Sequence, residues 1–311
     1  MALITRYCQI LIQGITTFVM EEKSSLTHFI IAGPTASGKS QHALQLAQDV
    51  GGIIANADSL QIYKGLPILT AQPDVQECAQ VPHVLYNFCD PAQPYSAQNW
   101  VRDITAILEK AEAPVVIVGG TGFYLKALLE GLSPIPDVDP VLQETLRALP
   151  LPEIRQQLES LDTVMFGRLH PHDHQRNLRA LEVVMSSGKS LQFWQSLKST
   201  PCPYTFHKIG IFPEKEFHEN AMVARVFKMW ERGAVVEVQA MMDRNIAKNA
   251  PAKKAIGYAE IEAYLQGQLS QEEAQQLMIL KTRQYAKRQR TWFRNQIVFD
   301  SRINLATSGA A

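Results

Sequence analysis

The stretch GPTASGKS at residues 33–40 is the part of the sequence with the clearest chemistry. It fits the pattern G-x-x-x-x-G-K-[S/T], in which glycines let backbone N–H groups turn inward around an anion. A following helix adds the positive end of its dipole. Lys39 supplies a cation for phosphate oxygens, and the Ser40 hydroxyl can ligate Mg²⁺. The stretch therefore predicts a phosphate-binding P-loop, whose residues are Gly33, Pro34, Thr35, Ala36, Ser37, Gly38, Lys39 and Ser40.

The positions of acidic residues help to identify the reaction that follows phosphate binding. Phosphoryl transfer and ATP hydrolysis usually place an Asp at the end of a buried strand, where it helps to hold Mg²⁺. Here the apolar run VVIV leads into Gly119-Gly120-Thr121, without an acid. The acid that directly follows a strand-like run is Asp58, in IIANADSLQIY. On these residues alone a kinase or ATPase has little support, and Asp58 could equally be a turn residue or a helix cap.

Short apolar runs alternate with helical patterns in the first half of the chain, which is typical of a parallel sheet covered by helices on both faces. A proline-rich segment at 131–140 breaks this alternation, and only helices are predicted from about 141 to 197. The predicted strands are 28–32, 52–55, 114–118 and 207–213, and the predicted helices include 39–50, Ser96 to about Ala111, 122–130 and helical patterns up to about 296. We therefore predict an α/β fold of the P-loop NTPase type, a parallel sheet flanked by helices, with an all-helical insertion domain.

The domain boundaries follow from the same patterns. The P-loop core is predicted to comprise residues 28–137 and 201–311, and the helical insertion residues 138–200. Residues 1–27 are predicted to be an extension outside the fold. The apolar run within the first 20 residues is too short and too interrupted to span a bilayer, and no small-x-small cleavage site follows it.

The composition is that of an ordinary globular protein rather than a disordered one, with 46% apolar and 19% charged residues among 311. The 30 basic residues balance the 30 acidic ones, so the overall charge predicts no polyanionic partner. Four cysteines show neither C-x-x-C pairing nor metal-ligand spacing, which favours reduced thiols and a cytoplasmic protein with no membrane segment. We expect a monomer.

Several further stretches resemble the tRNA dimethylallyltransferase (tRNA isopentenyltransferase) family of the bacterial type. The resemblance extends from about residue 28 to residue 296, and its motifs occur in the family's order. They are GPTASGKS; ADSLQIYKGLPILTAQP, similar to a D-S-x-Q-x-Y stretch; VGGTGFYLKALLEGLSPIP, similar to G-G-T-x-x-Y; HPHDHQRNLRALEV, similar to P-x-D-x-Q-R-x-x-R-A-L-E-V; and KRQRTWFRN, similar to K-R-Q-x-T-W-F-R.

The resemblance implies that the P-loop holds the diphosphate of dimethylallyl diphosphate, with Mg²⁺ as cofactor. The five-carbon group would pass to N6 of adenosine 37 in tRNA, and diphosphate would leave. Because no phosphoryl group moves, the missing acid after VVIV is no difficulty. Asp58 matches the family's catalytic acid–base, Thr121 a residue between the reacting centres, and Arg225 an arginine that assists the diphosphate. Ala221 stands where a second arginine is common.

The resemblance also implies a set of tRNA contacts near the target base and along the anticodon arm. The segment KKAIGYAE matches its family pattern only in part, and Gln143 falls where relatives often carry an arginine. The predicted tRNA-contacting residues are Asp58, Ser59, Leu60, Gln61, Thr121, Gln143, Gln175, Arg176, Asn177, Leu178, Arg179, Lys254, Gly257, Tyr258, Arg283, Lys287, Arg290 and Arg294.

The charge pattern near the end of the chain, taken together with the resemblance, favours RNA contact over an ordinary charged helix face. Four basic residues recur at helical spacing, and no acid occurs between Glu273 and Asp300. Such a stripe can neutralise phosphates, which gives affinity and register without reading the sequence of bases. Its members are Arg283, Lys287, Arg290 and Arg294, with Trp292 and Phe293 beside them.

Other interpretations stay open. An adenylate isopentenyltransferase would share the P-loop and the aspartate but prenylate free AMP, which needs neither the basic stripe nor the segment 175–179. A P-loop kinase or ATPase is disfavoured by the missing acid, and a non-catalytic RNA-binding module leaves the P-loop unexplained. His170, His172 and His174 have strand-like spacing for a zinc site, but the segment is predicted to be helical.

Overall fold

A parallel sheet organises the first of two compact units in the computed structural model, which describes residues 26–197 and 199–306. The strands are β1 (His28–Ala32), β2 (Ile53–Asn56), β3 (His83–Val84), β4 (Val115–Gly119), β5 (Phe206–Ile211) and β6 (Ser301–Ile303). Their order across the sheet is β3-β2-β4-β1-β5-β6, and each neighbouring pair is parallel. This is the P-loop NTPase-like fold that the strand–helix alternation predicts.

The helices that follow these strands have the amphipathic patterns expected of sheet-covering elements. In the first unit they are α1 (Lys39–Val50), α2 (Pro67–Thr70), α3 (Val75–Gln80), α4 (Ala97–Glu109), α5 (Gly122–Glu130), which crosses into the second unit, α11 (Lys215–Glu231), α12 (Ala234–Asp243), α13 (Tyr258–Leu265) and α14 (Gln271–Gln296). Those of the second unit are α6 (Pro140–Arg147), α7 (Leu151–Leu161), α8 (Thr163–Arg168), α9 (His174–Ser187) and α10 (Leu191–Ser196).

The predicted elements are confirmed with shifts of one or two residues at several ends. Ser96 caps α4, since its Oγ accepts a hydrogen bond from the Asn99 N–H at 3.1 Å. The strands β3 and β6 were not predicted from the sequence, because two or three residues carry too little periodicity to be recognised. The predicted extension 1–27 lies outside the described residues apart from its last two positions.

The second compact unit comprises Ala127–Cys202, and the first comprises the chain up to Lys126 together with the chain from Pro203 onward. The boundary at 138 suggested by the proline-rich segment thus falls inside the second unit. Its described part is helical, as predicted, and its apolar core includes Leu146, Ile154 and Leu158. Within the described ranges, no helix is long and apolar enough to cross a membrane.

Parallel pairing brings the carboxyl ends of the central strands to one edge of the sheet. The P-loop follows β1, the segment with Asp58 follows β2, and Gly120-Thr121 follows β4. The Thr121 N–H donates to the Ala57 carbonyl at 3.1 Å, which ties two of these loops together. A Cβ at Gly119 would collide with the Ala57 backbone, so the strand ends approach this closely only because residue 119 is glycine.

Candidate active site

The P-loop has the backbone conformation of an anion nest. Ala36 and Gly38 both lie in the left-handed region, with φ of 58° and 77°, and α1 begins directly after Gly38. Alternation of left- and right-handed residues turns successive N–H groups to one side, where an anion can be bound. The Ser37 hydroxyl is buried and has no hydrogen-bond partner among the described residues. These features fit the predicted phosphate site.

Three charged side chains converge beside the P-loop. Burial lowers the pKa of Lys39 from its usual 10.5 to about 8, while the Asp58 carboxylate opposes this shift and the Arg225 guanidinium adds to it. Burial likewise lowers the pKa of Arg225, again against the pull of Asp58. The Lys39 Nζ donates to the Pro34 carbonyl at 3.2 Å. Two partly desolvated cations therefore face one carboxylate, which leaves net positive charge for an anionic ligand.

The loop that carries Asp58 is fixed by Asn56, a residue outside the motifs recognised in the sequence. Asn56 is completely buried at the end of β2, and its Oδ1 accepts from the Asp58 N–H at 2.8 Å. Its Nδ2 donates to the Asp58 carbonyl at 2.9 Å and to the Leu85 carbonyl at 3.0 Å. The Asp58 carboxylate accepts the Leu60 N–H at 3.0 Å through Oδ1. An asparagine at the end of an otherwise apolar strand is the signal that could have revealed this role.

Thr121 lies next to the same loop. Its Oγ1 accepts a hydrogen bond from the Ser59 N–H at 2.9 Å and donates to the Ser59 Oγ at 3.3 Å. The structure therefore brings together the two residues predicted to be catalytic, Asp58 and Thr121, through the peptide that follows Asp58.

A small cavity of about 60 Å³ opens between these groups and apolar side chains. Its polar part includes Thr35, Asp58 and Arg225. The apolar part includes Leu60, Met229 and Met278. A ligand with a charged end beside the P-loop and a compact hydrocarbon portion matches this division of the cavity wall.

Some residues predicted to contact tRNA are buried and stabilise the fold. Asn177 is completely buried, and its Nδ2 donates to the carbonyls of His170 and Asp173 at 2.9 and 2.7 Å. Its Oδ1 accepts from Arg155 at 3.0 Å. Tyr258 is 1% exposed, and Gly257 has φ of 101°, a conformation that favours glycine. Burial in the protein explains the positions of Asn177, Gly257 and Tyr258, and their contact with tRNA stays a prediction.

Of the other residues predicted to contact tRNA near the target base, some already contact other parts of the protein. The Gln61 Nε2 donates to the carbonyls of Thr70 and Ala71 at 3.0 and 2.8 Å. Leu60 lines the cavity and packs against the apolar core of the first unit. Lys254 is exposed.

On α9 and α6, Leu178 is half-buried against the core of the helical unit, while Gln175 and Arg176 are exposed. Arg176 forms an ion pair with Asp173 at 3.1 Å, and Arg179 forms one with Glu182 at 3.3 Å. Gln143 accepts a hydrogen bond from Arg147 at 3.4 Å.

The basic stripe on α14 divides into two kinds of residue. Lys287 and Arg294 are exposed, as an RNA-contacting face requires. Arg283 forms an ion pair with Glu219 at 2.6 Å. Arg290 is half-buried and donates to the Pro213 carbonyl at 2.7 Å and to His218 Nδ1 at 3.2 Å. Helical spacing alone did not reveal that Arg290 faces the protein.

Fold and site together define a P-loop transferase with a carboxylate at the neighbouring strand end. The family model described as IPP transferase matches residues 61–296. Among curated proteins, the tRNA dimethylallyltransferase of Chelativorans sp. (strain BNC1) is 42% identical over 277 residues, which cover 86% of this chain and 95% of the relative. The enzyme of the same name from Caulobacter sp. (strain K31) is 44% identical over 275 residues, covering 86% and 89%.

Solved structures agree with this relationship. The tRNA isopentenylpyrophosphate transferase of Bacillus halodurans superposes with a TM-score of 0.66 at 29% identity, covering 91% of each chain. A eukaryotic dimethylallyltransferase described as acting on tRNA superposes with a TM-score of 0.79 at 25% identity, covering 92% of this chain and 75% of its own. The chain therefore belongs to the IPP transferase family of prenyltransferases, which confirms the resemblance seen in its motifs.

Proposed function

We propose that the protein transfers the dimethylallyl group of dimethylallyl diphosphate to N6 of adenosine 37 in tRNA. The observation that carries the proposal is the convergence of Lys39, Arg225 and Asp58 beside the P-loop, where Arg225 and Asp58 line a cavity with apolar walls. The names of the curated relatives, tRNA dimethylallyltransferases, support the same reaction.

At the diphosphate, the bond between C1 of the allyl group and the ester oxygen of the α-phosphate breaks, and its electron pair leaves with the diphosphate. Lys39, Arg225 and the inward-facing amides around Ala36 and Gly38 stabilise the charge that develops on that oxygen. A diphosphate next to Lys39 also raises the pKa of this lysine, so the bound complex keeps it protonated.

A magnesium ion would bind beside the P-loop through Ser40. This serine lies exposed in the first turn of α1, next to Lys39, and its hydroxyl oxygen is a ligand that Mg²⁺ accepts. When bound, the ion supplies further charge neutralisation to the leaving diphosphate.

At the acceptor, N6 of the adenosine forms the new bond to C1 and must lose a proton. Asp58 is the carboxylate positioned to accept that proton, and Thr121 holds the peptide that follows it. A stacked adenine hides its amine, so the base has to leave its stack to reach Asp58.

The tRNA itself is held by exposed basic side chains. Lys287 and Arg294 on α14 and Arg176 on α9 are exposed and suited to backbone phosphates. Free AMP would have no use for these side chains, which is why tRNA is favoured over AMP as the acceptor. The protein acts as a monomer in this proposal.

The decisive experiment incubates the protein with Mg²⁺, dimethylallyl diphosphate and either unmodified tRNA or AMP, followed by mass spectrometry of the nucleosides. We expect adenosine to gain one dimethylallyl group in the tRNA reaction only, at adenosine 37. Prenylated AMP would replace the proposal with the adenylate enzyme. A parallel reaction with ATP that yields ADP, and no prenyl product anywhere, would show that the P-loop holds a nucleotide.

A further inference from the structure

Both peptide groups of Thr35, in the middle of the P-loop, are held by side chains from distant parts of the chain. The Thr35 N–H donates to Gln289 Oε1 at 2.8 Å. The Thr35 carbonyl lies 2.8 Å from His218 Nε2. Gln289 belongs to α14 and His218 to α11, and both side chains are buried. One residue of the anion nest is therefore fixed on both sides before any ligand arrives.

Gln289 also joins the P-loop to the loop that carries Thr121. Its Nε2 donates to the Gly120 carbonyl at 2.8 Å, while its Oε1 accepts from Thr35. A Cβ at Gly120 would collide with this same Nε2, so the close approach depends on glycine. A single amide thus sets the spacing between the diphosphate-holding loop and the loop beside Asp58.

The neighbours of His218 determine which of its nitrogens carries the proton. Arg290 can only donate, and its Nη2 lies 3.2 Å from His218 Nδ1, which must therefore accept. Nε2 then carries the hydrogen and donates it to the Thr35 carbonyl. The Pro213 carbonyl holds Arg290 in place at 2.7 Å. The chain Arg290–His218–Thr35 is thus a directed series of hydrogen bonds that ends at the P-loop.

We infer that Gln289 and His218 are positioning residues of the transfer reaction, which hold the P-loop in its diphosphate-binding conformation through the two peptide groups of Thr35. The inference rests on the proposed function. It also gives the motif KRQRTWFRN a role beyond RNA contact, because the glutamine of this motif binds the P-loop and the following arginine binds His218. A preformed nest needs no reorganisation when the leaving diphosphate gains charge.

The test compares variants that remove or restore single hydrogen bonds. Gln289→Met keeps the length of the side chain but loses both bonds, and Gln289→Glu keeps only the acceptor for the Thr35 N–H. His218→Leu removes the donor, and His218→Gln restores one near the position of Nε2. Gln284→Met, an exposed change on the same helix, is the matched control. For each variant we would measure kcat, the KM for both substrates, the Kd for inorganic diphosphate by calorimetry, and the thermal unfolding midpoint.

We expect Gln289→Met to lower kcat/KM for dimethylallyl diphosphate by roughly tenfold to a hundredfold, the range for two lost hydrogen bonds. The Kd for diphosphate should rise in parallel, while the KM for tRNA stays within about twofold, since phosphate contacts on the RNA are separate. His218→Leu should lose about tenfold, and His218→Gln should recover most of that loss. The control should match the wild type.

Two results would overturn the inference. One is wild-type diphosphate affinity and kcat/KM in Gln289→Met. The other is a parallel loss of both substrate affinities together with the unfolding midpoint, which would make Gln289 and His218 structural residues only. If the wild type transfers no prenyl group, the proposed function fails separately. The diphosphate titrations of the variants then decide the positioning role on their own.

Discussion

Two asparagines, one in each compact unit, are completely buried and use their side-chain amides in the same way. Asn56 binds the backbone of Asp58 and Leu85. Asn177 binds the backbone of His170 and Asp173 and the side chain of Arg155. Each pins a loop, but the first loop presents a carboxylate to a cavity, while the second precedes a helix with exposed basic side chains. Under the proposed function, the same kind of buried amide supports chemistry in one unit and a binding surface in the other.

The difference shows that a polar residue in a recognisable motif is not necessarily a contact residue. Asn177 lies between Arg176 and Leu178 in the motif that predicted tRNA contact, yet its side chain faces inward. Asn56 lies just outside the recognised D-S-x-Q stretch, yet it fixes the position of Asp58. Burial and hydrogen-bond direction separate the two roles, and neither is visible in the motif.

The largest expected effect is on turnover after a change at Asp58. Asp58→Asn keeps the shape and the acceptor for the Leu60 N–H but removes the base, so we expect kcat to fall by roughly 10²–10⁴-fold. Filter binding should show tRNA affinity within about threefold of the wild type, because phosphates dominate that affinity. Turnover at the wild-type rate would exclude Asp58 as the base.

Asn56→Ala should distinguish the role of Asn56 from that of the other buried asparagine, Asn177. It removes three hydrogen bonds and leaves the Asp58 loop unsupported, so we expect about 2–3 kcal/mol of destabilisation and a fall in kcat of roughly tenfold or more. Asn177→Ala is the matched variant in the helical unit. It should cost similar stability, measured by chemical denaturation, but leave the kcat of the remaining folded protein unchanged. An equal loss of kcat in both variants would contradict the assigned difference.

Lys39 and Lys287 should differ in how activity depends on pH. In the free protein the pKa of Lys39 is about 8, so this lysine is charged below pH 8 and loses its proton above it. We expect kcat/KM for dimethylallyl diphosphate to fall above about pH 8, approaching tenfold per pH unit, because this ratio reports the free enzyme. Since bound diphosphate raises the pKa, the fall in kcat should begin at higher pH.

Lys39→Arg is the control for that profile, because a guanidinium stays charged throughout the range. It should lower activity but flatten the alkaline side of the profile. Lys287→Arg should leave the profile as in the wild type. An unchanged alkaline limb in Lys39→Arg would assign the titration to another group.

The smallest effects are expected at the exposed basic residues. Arg176 and Asp173 form an exposed ion pair, so Arg176→Ala should change the free energy of unfolding by less than about 1 kcal/mol. tRNA affinity should weaken several-fold. The slope of log Kd against log salt concentration should decrease by roughly one, which corresponds to the loss of one phosphate contact. Gln192→Ala, an exposed change elsewhere in the helical unit, is the control. An unchanged salt slope would remove Arg176 from the phosphate contacts.

The sequence predicted the parts of the fold that depend on long periodic runs. The buried strand β4 and the helices α1 and α5 lie within one residue of their predicted bounds, because apolar runs and glycine signals are local. The P-loop was equally readable, since its glycines and lysine are consecutive. The brief edge strands β3 and β6 were not, because their pairing depends on neighbours rather than on their own residues.

The site was predictable where its residues lie within one sequence motif, and not where residues far apart in the sequence interact. Asp58 and Thr121 were selected because their own stretches resemble motifs of the family, and the structure brings these two stretches together. Gln289 and His218 were not, because their role depends on Thr35, 254 and 183 residues away. The contacts of Arg290 with Pro213 and His218 were not predicted for a related reason: helical spacing gives the face of a residue, but not what covers that face.

The strand order has a consequence for how the protein folds during its synthesis. The P-loop strand β1 pairs with β4 on one side and with β5 on the other, and the entire helical unit is translated between those two strands. The amide of Gln289 emerges later still. Because ribosomes deliver the chain from its N-terminus, the diphosphate site is encoded early and completed late. A nascent chain stalled before α14 would carry the whole P-loop motif without the contacts that brace it.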